Sequence, residues 1–320
     1  MSLTIDGIRL DDPQHVYVVA EASANHCRDL GKARALVEAA HAAGAQACKF
    51  QTFSADRIAA PNIVIPRGFD PAHDAWLDRI GAVTVQDVLA HGGLPWEWHA
   101  ELKELAASLG ITFLSTPFSL DDAKFLVEEI KVPALKIASG DITFTPLLRY
   151  AGSTGLPIIL STGASTYREV VDAVLALCMG GGYVHNVALL HCASIYPCPV
   201  GAINLWRLCG LQFDRMCGAY GLSDHTLSVD TVPAMAVALG ATVYEKHLRL
   251  NEGTSVDTDH SLTPDQFKTM VDTLQEASRA MGKEWPAAMH PTEAHERLWM
   301  RRSSEDWLRP TQAAREGKWE

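Results

Sequence analysis

The feature that most constrains the fold is a regular alternation of short apolar, β-branched runs with stretches of helical periodicity. This alternation is typical of parallel strands joined by crossover helices, because a parallel connection needs an element long enough to return the chain to the same edge. The eight candidate strands are residues 16–23, 47–52, 112–117, 134–139, 157–162, 187–193, 217–224 and 242–248. Eight such units indicate a closed (β/α)8 TIM barrel, since open doubly wound sheets more often have five or six strands.

Two of the connecting helices have readable start signals. Asp29 can accept a backbone N–H at the start of one helix. The apolar face of that helix consists of Leu30, Ala33, Leu36, Val37 and Ala40. In the last helix, Thr263 is the predicted N-cap, Pro264 suits the first position, and Gln266 completes a capping box. Gly282 suits its C-terminal end.

The length of 320 residues is compatible with one barrel and its loops. The sequence therefore predicts a catalytic barrel domain over residues 1–282 and a short C-terminal extension over 283–320 that is not a separate domain. Two stretches do not fit the repeat. The segment of about 53–95 is a candidate lid or substrate loop. The extension contains Trp299 and Trp307 and is expected to pack on the barrel or on a second subunit.

Composition and charge narrow the class of protein. A hydrophobic content of 48% with 20% charged residues is that of a soluble globular chain. The formal net charge of −11 argues against nucleic acid or an anionic membrane as a partner. Neither a signal peptide nor a long apolar run is evident, so we expect a cytoplasmic protein. The seven cysteines form no CxxC pair or zinc-ligand spacing and are expected to be reduced, mostly buried thiols.

Polar and charged side chains gather where the predicted strands end, which is where barrel enzymes carry their chemistry. They are Glu21, Lys49, Gln51, Ser115, Thr116, Lys136, Ser139, Ser161, Thr162, Ser194, Tyr196, Ser223, Asp224, His225, Glu245 and His247. Any one of them could be structural, for example a lysine that snorkels or a serine in a turn. Together they indicate a site, because a buried charge is costly unless it is paired or functional.

The strand-end residues divide into two chemical sets. Lys49 and Lys136, together with serine hydroxyls, can hold a phosphate and a carboxylate, which predicts a pocket for a small dianion or trianion. His225 and His247 can bind one divalent cation, and Asp224 and Glu245 beside them favour that interpretation over core histidines. For three other histidines the sequence leaves pocket, ligand and interior roles open: His26, His191 and His260.

These residues lie in motifs that resemble those of the N-acetylneuraminate synthase and spore-coat polysaccharide synthase family. The resemblance covers about residues 15–282, and the order and spacing of the motifs are highly specific. The motifs are AEASANH (20–26), KFQTF (49–53), FLSTPF (113–118), LKIASGD (135–141), PIILSTGAS (157–165), LLHCASIYP (189–197), GLSDHT (221–226) and EKHL (245–248).

The resemblance implies an enzyme that joins C3 of phosphoenolpyruvate to the aldehyde carbon of an open-chain N-acetylhexosamine such as N-acetylmannosamine. The products would be a nonulosonic (sialic) acid and phosphate released by C–O cleavage, and the family implies Mn²⁺ or Mg²⁺ and a homodimer. Carried onto this sequence, the phosphoenolpyruvate-binding residues are Lys49, Thr116, Lys136, Ser139, Ser161, Ser194 and Ser223. The catalytic residues are Glu21, Glu245 and Tyr196, the sugar-binding residues Gln51, Phe118 and Asp257, and the metal ligands His225 and His247.

Three stretches depart from the family pattern. Family members continue past an RRS-like stretch into a small cap domain that supplies an arginine to the sugar, whereas only seventeen residues follow Ser303 here. The segment 53–95 differs, and residues 255–264 read SVDTDHSLTP where many members have a GPDH-like sequence. These changes lie where the sugar would bind, so the sequence predicts the reaction type more firmly than the acceptor.

Three other functions stay open. The same chemistry could act on a different aldehyde, such as a non-acetylated hexose or pentose. A Schiff-base aldolase could use Lys49, Lys136 or Lys246, and would need no metal. The chain could also be a non-catalytic binding barrel.

Overall fold

The computed structural model describes residues 2–68, 71–213, 215–282 and 291–318. The chain divides into two compact units, Met1–Met281 and Gly282–Glu320. The first unit contains every strand found in the described residues. No helix among the described residues combines the length and the apolar character needed to cross a membrane.

The first unit is a nearly closed barrel of parallel strands. Two short strands, β1 (Thr4–Ile5) and β2 (Ile8–Arg9), form an antiparallel hairpin before it. The barrel strands are β3 (Tyr17–Glu21), β4 (Ala47–Thr52), β5 (Thr112–Pro117), β6 (Leu135–Ile137), β7 (Ile158–Ser161), β8 (Val187–Cys192), β9 (Ala219–Asp224) and β10 (Val243–His247). Their order is β5-β4-β3-β10-β9-β8-β7-β6, and β6 lies beside β5 without a ladder of paired residues. The predicted barrel and its eight strands are confirmed.

Helices connect the strands and surround the barrel. They are α1 (Leu30–Ala42), α2 (Ala55–Ile58), α3 (Pro71–Ile80), α4 (Val85–Leu89), α5 (His99–Ser108), α6 (Leu120–Lys124), α7 (Thr145–Ser153), α8 (Tyr167–Met179), α9 (Trp206–Phe213), α10 (Thr231–Ala238) and α11 (Pro264–Met281). A π-helical turn, Phe125–Ile130, continues α6. The short helices α2, α3 and α4 belong to the segment 53–95, whose role as a lid stays a prediction.

The local signals read from the sequence are present. Asp29 accepts a hydrogen bond from the backbone N–H of Lys32 at the start of α1. Thr263 and Gln266 form the reciprocal hydrogen bonds of a capping box before α11. Gly282 has a φ of 71°, the left-handed conformation that glycine adopts without steric cost after a helix. Four of the seven cysteines are buried and none forms a disulfide.

The period-two alternation of the strands sorts side chains between the barrel interior and the surrounding helices. At the amino ends of the strands the interior is apolar: Tyr17, Val19, Leu114, Ile159, Leu190 and Val243 form one buried cluster. Leu3, Ile5 and Leu10 of the hairpin segment join this cluster and close the barrel at that end. Asp6 fastens the hairpin to the barrel by accepting a hydrogen bond from the Thr112 hydroxyl at 2.7 Å. Among the described residues, the charged side chains of the barrel interior lie toward the carboxyl ends of the strands.

The second unit contains two short helices among its described residues, α12 (Ala294–Met300) and α13 (Gln312–Arg315). Asp306 and Arg315 form an ion pair with an N···O distance of 2.6 Å within it. Trp299 and Trp307 are both more than half exposed. The first residues of the predicted extension, 283–290, lie outside the described residues.

Candidate active site

A cavity of about 590 Å³ opens at the carboxyl ends of the barrel strands. The sequence assigned a catalytic, substrate-binding or metal-ligand role to a set of residues, and all but one of them line this cavity. The lining members are Glu21, Lys49, Gln51, Thr116, Phe118, Lys136, Ser139, Ser161, Ser194, Tyr196, Ser223, His225, Glu245 and His247. The exception is Asp257. Cys192, Glu169 and Ile142 also line the cavity and were not among the predicted site residues.

Strand register explains why residues distant in sequence meet here. Glu21 of β3 is paired with Lys49 of β4 on one side and with His247 of β10 on the other. Glu245 is paired with Ser223 of β9 in the same way. Residues at paired positions point to the same face of a sheet. The inward face near the strand ends is therefore charged.

Two lysines and two glutamates form a buried charge network inside the cavity, which we call the inner network: Glu21, Lys49, Lys136 and Glu245. The Lys49 Nζ atom lies 2.5 Å from Glu21 Oε2 and 3.6 Å from Glu245 Oε2. The Lys136 Nζ atom lies 3.8 Å from Glu245 Oε1. Lys49 also donates a hydrogen bond to Thr116 at 3.1 Å. Glu245 Oε2 has no hydrogen-bond donor among the described residues, so the network has capacity left for a ligand.

Burial and mutual attraction perturb the proton affinity of this network. Burial, with the nearby Glu245 charge, raises the pKa of Glu21 to about 7 although Lys49 opposes the shift. Burial also lowers the pKa of Lys136, against the attraction of Glu245. Burial alone would raise the pKa of Glu245, but Lys136 and Lys49 outweigh it and the net shift is downward. With Glu21 protonated, the inner network has an excess positive charge that suits an anion.

Hydroxyl groups complete the cation-rich side of the cavity. The Ser161 Oγ atom is buried and has no hydrogen-bond partner among the described residues. Ser139 accepts a hydrogen bond from the backbone N–H of Gly163 at 2.9 Å. A Cβ atom at Gly163 would lie 2.2 Å from Ser194 Oγ and 2.9 Å from Ser139 Oγ. Only glycine therefore allows these two hydroxyls to approach the cavity wall together.

Three imidazoles and a phenol form a cluster beside the inner network. The ring centroids of His225 and His247 are 5.4 Å apart, and those of His247 and His260 are 4.5 Å apart. The Tyr196 ring packs against His225 in a tilted arrangement, with a centroid distance of 4.1 Å. Burial, followed by the neighbouring imidazoles, lowers the pKa of His247 well below its usual value. Burial lowers the pKa of His260 to about 4.

The cluster fits a divalent cation. The His247 Nδ1 and His260 Nε2 atoms are buried and have no hydrogen-bond partner among the described residues. Potential ligand atoms of His247, Asp257 and His260 all lie within 4.8 Å of one another. Neutral imidazole nitrogen with carboxylate oxygen is a donor set for first-row divalent metals. The His225 Nδ1 atom donates to the Ala193 carbonyl oxygen at 3.0 Å, which leaves its Nε2 atom as an acceptor.

The predicted sugar-binding residues are divided between two places. Gln51 donates hydrogen bonds from Nε2 to Glu21 Oε1 at 3.0 Å and to Ser23 Oγ at 2.9 Å. Phe118 lies at the cavity rim in an edge-to-face contact with Phe53. Asp257 lies near His260 instead, with 3.5 Å between Oδ1 and Nε2.

One expectation about a single residue needs revision, and one open alternative is resolved. Asp224 was read from the sequence as support for the metal site, but it does not line the cavity. Its carboxylate faces the surrounding helices, where Lys246 Nζ lies 2.6 Å from Oδ2, because it occupies the opposite strand face from Ser223 and His225. His191, whose role was open, is an interior residue whose Nε2 donates to the Ile203 carbonyl oxygen at 2.7 Å.

His260 is the residue that the sequence left open and the structure brings to the site. It is not part of a strand, but Leu262 donates a backbone hydrogen bond to the His247 carbonyl oxygen at 2.9 Å. The chain thus returns to the end of β10 immediately after His260. The signal in the sequence was the Asp259-His260 pair, which lies in the loop that follows the predicted metal ligand His247.

Comparison with known proteins identifies relatives over most of the chain. A model described as the NeuB family matches residues 36–285. The chain is 36% identical to the N,N'-diacetyllegionaminic acid synthase of Legionella pneumophila over 83% of this chain and 73% of that protein. It is 34% identical to the pseudaminic acid synthase of Helicobacter pylori over 89% of this chain and 81% of that protein.

A solved structure agrees with these relatives. The N-acetylneuraminic acid (sialic acid) synthetase of Leptospira borgpetersenii, crystallised with citrate, superposes with a TM-score of 0.78 at 27% identity. The match covers 92% of this chain and 95% of that chain. The similarity therefore includes the barrel and the strand ends that carry the cavity.

Proposed function

The chain belongs to the NeuB family of synthases, and on that premise we propose that it condenses phosphoenolpyruvate with the open-chain aldehyde of a hexosamine. The products are a nonulosonic acid and inorganic phosphate. The observation that carries this proposal is the pairing of Lys49 and Lys136, both buried, with an array of hydroxyls around one cavity. A trianionic substrate explains why two lysines are kept in an interior where an unused charge would be costly.

Phosphoenolpyruvate binds on the side of the cavity that contains Lys49 and Lys136. The phosphate and carboxylate accept hydrogen bonds from the two ammonium groups and from the hydroxyls. The hydroxyls are those of Thr116, Ser139, Ser161, Ser194 and Ser223. The Ser161 hydroxyl has no hydrogen-bond partner among the described residues, so it can donate to the substrate. This binding fixes C3 of the enol toward the centre of the cavity, which supplies proximity and orientation.

The acceptor aldehyde lies toward the histidine cluster, with Gln51, Phe118 and Tyr196 along its path. His225 and His247 would hold the divalent cation, Mn²⁺ or Mg²⁺, that the family requires, with Asp257 and His260 beside them. When bound, the cation supplies Lewis-acid polarisation of the aldehyde oxygen.

The reaction forms one C–C bond and breaks one C–O bond. The π electrons of the enol attack the aldehyde carbon from C3, which leaves cationic character at C2. Glu21 has a pKa of about 7 and is partly ionised near neutral pH. In its ionised form it positions a water for addition at C2 and takes up the proton of that water. Glu245 steadies Lys49 and Lys136. Collapse of the resulting tetrahedral centre expels phosphate, whose charge the two lysines neutralise.

The acceptor is N-acetylmannosamine or a related hexosamine. The relatives named above are synthases of three different products, the sialic, legionaminic and pseudaminic acids. The same chemistry on another aldehyde is the second candidate. The cytoplasmic location and the homodimer stay predictions.

The test is release of phosphate from phosphoenolpyruvate in the presence of Mn²⁺ or Mg²⁺, across a panel of aldoses that includes N-acetylmannosamine and its diacetylated analogues. We expect release that requires both one acceptor and a metal and that stops with EDTA. Phosphoenolpyruvate labelled with ¹⁸O in the bridging position should give labelled phosphate, because C–O cleavage leaves that oxygen on phosphorus.

The alternative outcomes are distinct. Activity that resists EDTA and is trapped by borohydride indicates a Schiff-base aldolase instead. Absence of both phosphoenolpyruvate binding and metal binding indicates a non-catalytic barrel. Lys136→Met serves as the matched inactive control, because it removes one ammonium group from the cavity and keeps side-chain length.

A further inference from the structure

The loop between β10 and α11 contains an imidazole that the two-histidine site does not use. His260 is 5% exposed, and its Nε2 atom has no hydrogen-bond partner among the described residues. A buried polar atom without a partner is costly. The atom also lies in the histidine cluster, next to the similarly unpartnered Nδ1 atom of His247. Two unpartnered nitrogens in one buried cluster indicate a ligand that both share.

We propose that His260 is a protein ligand of the divalent metal, so that His247, Asp257 and His260 form a triad of two imidazoles and one carboxylate. This inference rests on the proposed function for the presence of the metal, but it assigns a ligand set of its own. In this arrangement Asp257 binds the metal rather than the sugar hydroxyls. The His225 ring stays beside this triad, with its centroid 5.4 Å from that of His247.

The distances are compatible with one shared ion. Two donors bound at about 2.1 Å from the same ion can be at most about 4.2 Å apart. Asp257 Oδ1 and His260 Nε2 are 3.5 Å apart and satisfy this directly. The remaining ligand atoms lie within 4.8 Å, so closing the triad needs side-chain movements of less than about 1 Å.

The second carboxylate oxygen of Asp257 is fixed by the protein. Asp257 Oδ2 accepts a hydrogen bond from the backbone N–H of Ala24 at 3.0 Å, which leaves Oδ1 for the metal. A carboxylate held in this way is oriented before the ion binds, and such supporting contacts strengthen metal sites. The triad is therefore prepared by the fold.

Hydrogen bonds from side chains and from the backbone also fix the loop that carries both residues. Asn25 donates from Nδ2 to the Leu248 carbonyl oxygen and to Ser261 Oγ, both at 2.9 Å. Ser261 in turn donates to the Asp257 carbonyl oxygen at 2.6 Å. Together with the bond from Leu262 to His247, these contacts hold His260 beside β10. A loop with only a connecting role has no need of such bracing.

The segment 53–95 packs on the outside of the same loop. Arg79 of α3 pairs with Asp259 at 2.8 Å, and Trp76 donates to the Val256 carbonyl oxygen at 3.2 Å. The two stretches that depart from the family pattern thus contact each other.

Metal binding without substrate tests this proposal. Metal-free protein is titrated with Co²⁺, whose visible absorption reports its ligands, and with Mn²⁺ by calorimetry. The wild-type chain should bind one equivalent of each. His260→Gln should weaken Mn²⁺ binding by about 100-fold or more, since loss of a residue that merely supports a ligand already costs about 10- to 100-fold. Its Co²⁺ spectrum should also change.

A matched control separates this effect from general loss of a histidine. His185 is exposed and lies outside the cavity, so His185→Gln should leave both titrations unchanged. Unfolding of all variants in EDTA establishes that each is folded. Retention by His260→Gln of wild-type Mn²⁺ affinity within about threefold and of the Co²⁺ spectrum would overturn the proposal.

A second variant covers the case in which His260→Gln fails to fold. His260→Asp keeps an oxygen ligand, so intermediate affinity with an altered spectrum supports the proposal and unchanged values contradict it. The outcome is separable from the proposed function. Tight, His260-dependent metal binding without phosphoenolpyruvate turnover supports the triad and rejects the reaction, whereas turnover with His260-independent binding does the reverse.

Discussion

The barrel contains two buried groups of lysine and carboxylate that differ in how completely they are satisfied. In the inner network, the charges of Lys49, Lys136, Glu21 and Glu245 face a cavity and Glu245 Oε2 has no hydrogen-bond donor among the described residues. In the outer pair, Lys246 lies 2.6 Å from Asp224 Oδ2 and both residues are fully buried. Tyr244 and Thr226 donate further hydrogen bonds to Asp224.

The contrast between the inner network and the outer pair indicates which buried charges have a role in function. A pair with every partner in place is part of the structure, because nothing remains for a ligand to do. A network of buried charges that faces a cavity and is not fully paired can bind a charged ligand. The two groups are only one residue apart on β10, where Glu245 points inward and Lys246 outward.

The largest effect should come from breaking the inner network. Lys136→Met should reduce turnover of phosphoenolpyruvate by about 10³- to 10⁴-fold, since it removes a charge that neutralises the departing phosphate. The free energy of unfolding should change by less than about 1 kcal/mol, because Glu245 keeps a second cationic partner, Lys49, with Nζ 3.6 Å from Oε2. Phosphate release and urea unfolding measure the two quantities. Loss of stability without loss of turnover would reverse the assignment.

The outer pair should show the opposite pattern. Lys246→Met leaves the Asp224 carboxylate buried without its cation and should lower the free energy of unfolding by about 3 kcal/mol. Turnover of the folded protein should fall less than about tenfold. The double variant Asp224→Asn, Lys246→Met removes both charges and should recover part of the stability. Urea unfolding that matches the wild type for Lys246→Met would contradict a structural role.

The pH dependence of stability should separate Glu21 from an ordinary carboxylate. Its pKa of about 7 exceeds the usual value, so between about pH 4.5 and 7 the folded state binds more protons than the unfolded state. The contribution of Glu21 to stability therefore declines as the pH rises through this range. The difference in unfolding free energy between wild type and Glu21→Gln, measured in EDTA, should fall by about 2 to 3 kcal/mol over this range. A flat difference would place the pKa of Glu21 in the usual range.

The smallest effect should come from trimming the outer pair. Tyr244→Phe removes one hydrogen bond to Asp224 and should cost about 1 kcal/mol of stability. Turnover should stay within about twofold of wild type. Thermal unfolding and phosphate release check this. A large loss of turnover would connect the outer pair to the chemistry and weaken the contrast.

The sequence was sufficient for the fold and for the members of the cavity wall. Periodicity located all eight strands, and the rule that barrel sites lie at strand ends brought Lys49, Lys136 and His247 together without knowledge of their distances. The same rule misplaced Asp224, although strand parity could have corrected it, since Ser223 and His225 share one face.

His260 could not be placed in this way. Its position depends on a loop that leaves β10 and returns, and the bond from Leu262 to His247 that closes the loop has no signature in the local sequence. The sequence also could not predict which inner lysine contacts which glutamate, because these contacts depend on side-chain distances. The functional roles of the cavity residues stay predictions until the experiments above are done.

The hairpin that closes the amino end of the barrel has a consequence for access to the cavity. Leu3, Ile5 and Leu10 belong to the buried apolar cluster that fills this end of the barrel. The cavity at the carboxyl ends of the strands is therefore separated from solvent on the hairpin side. In the proposed reaction, both substrates would enter and both products would leave on the opposite side.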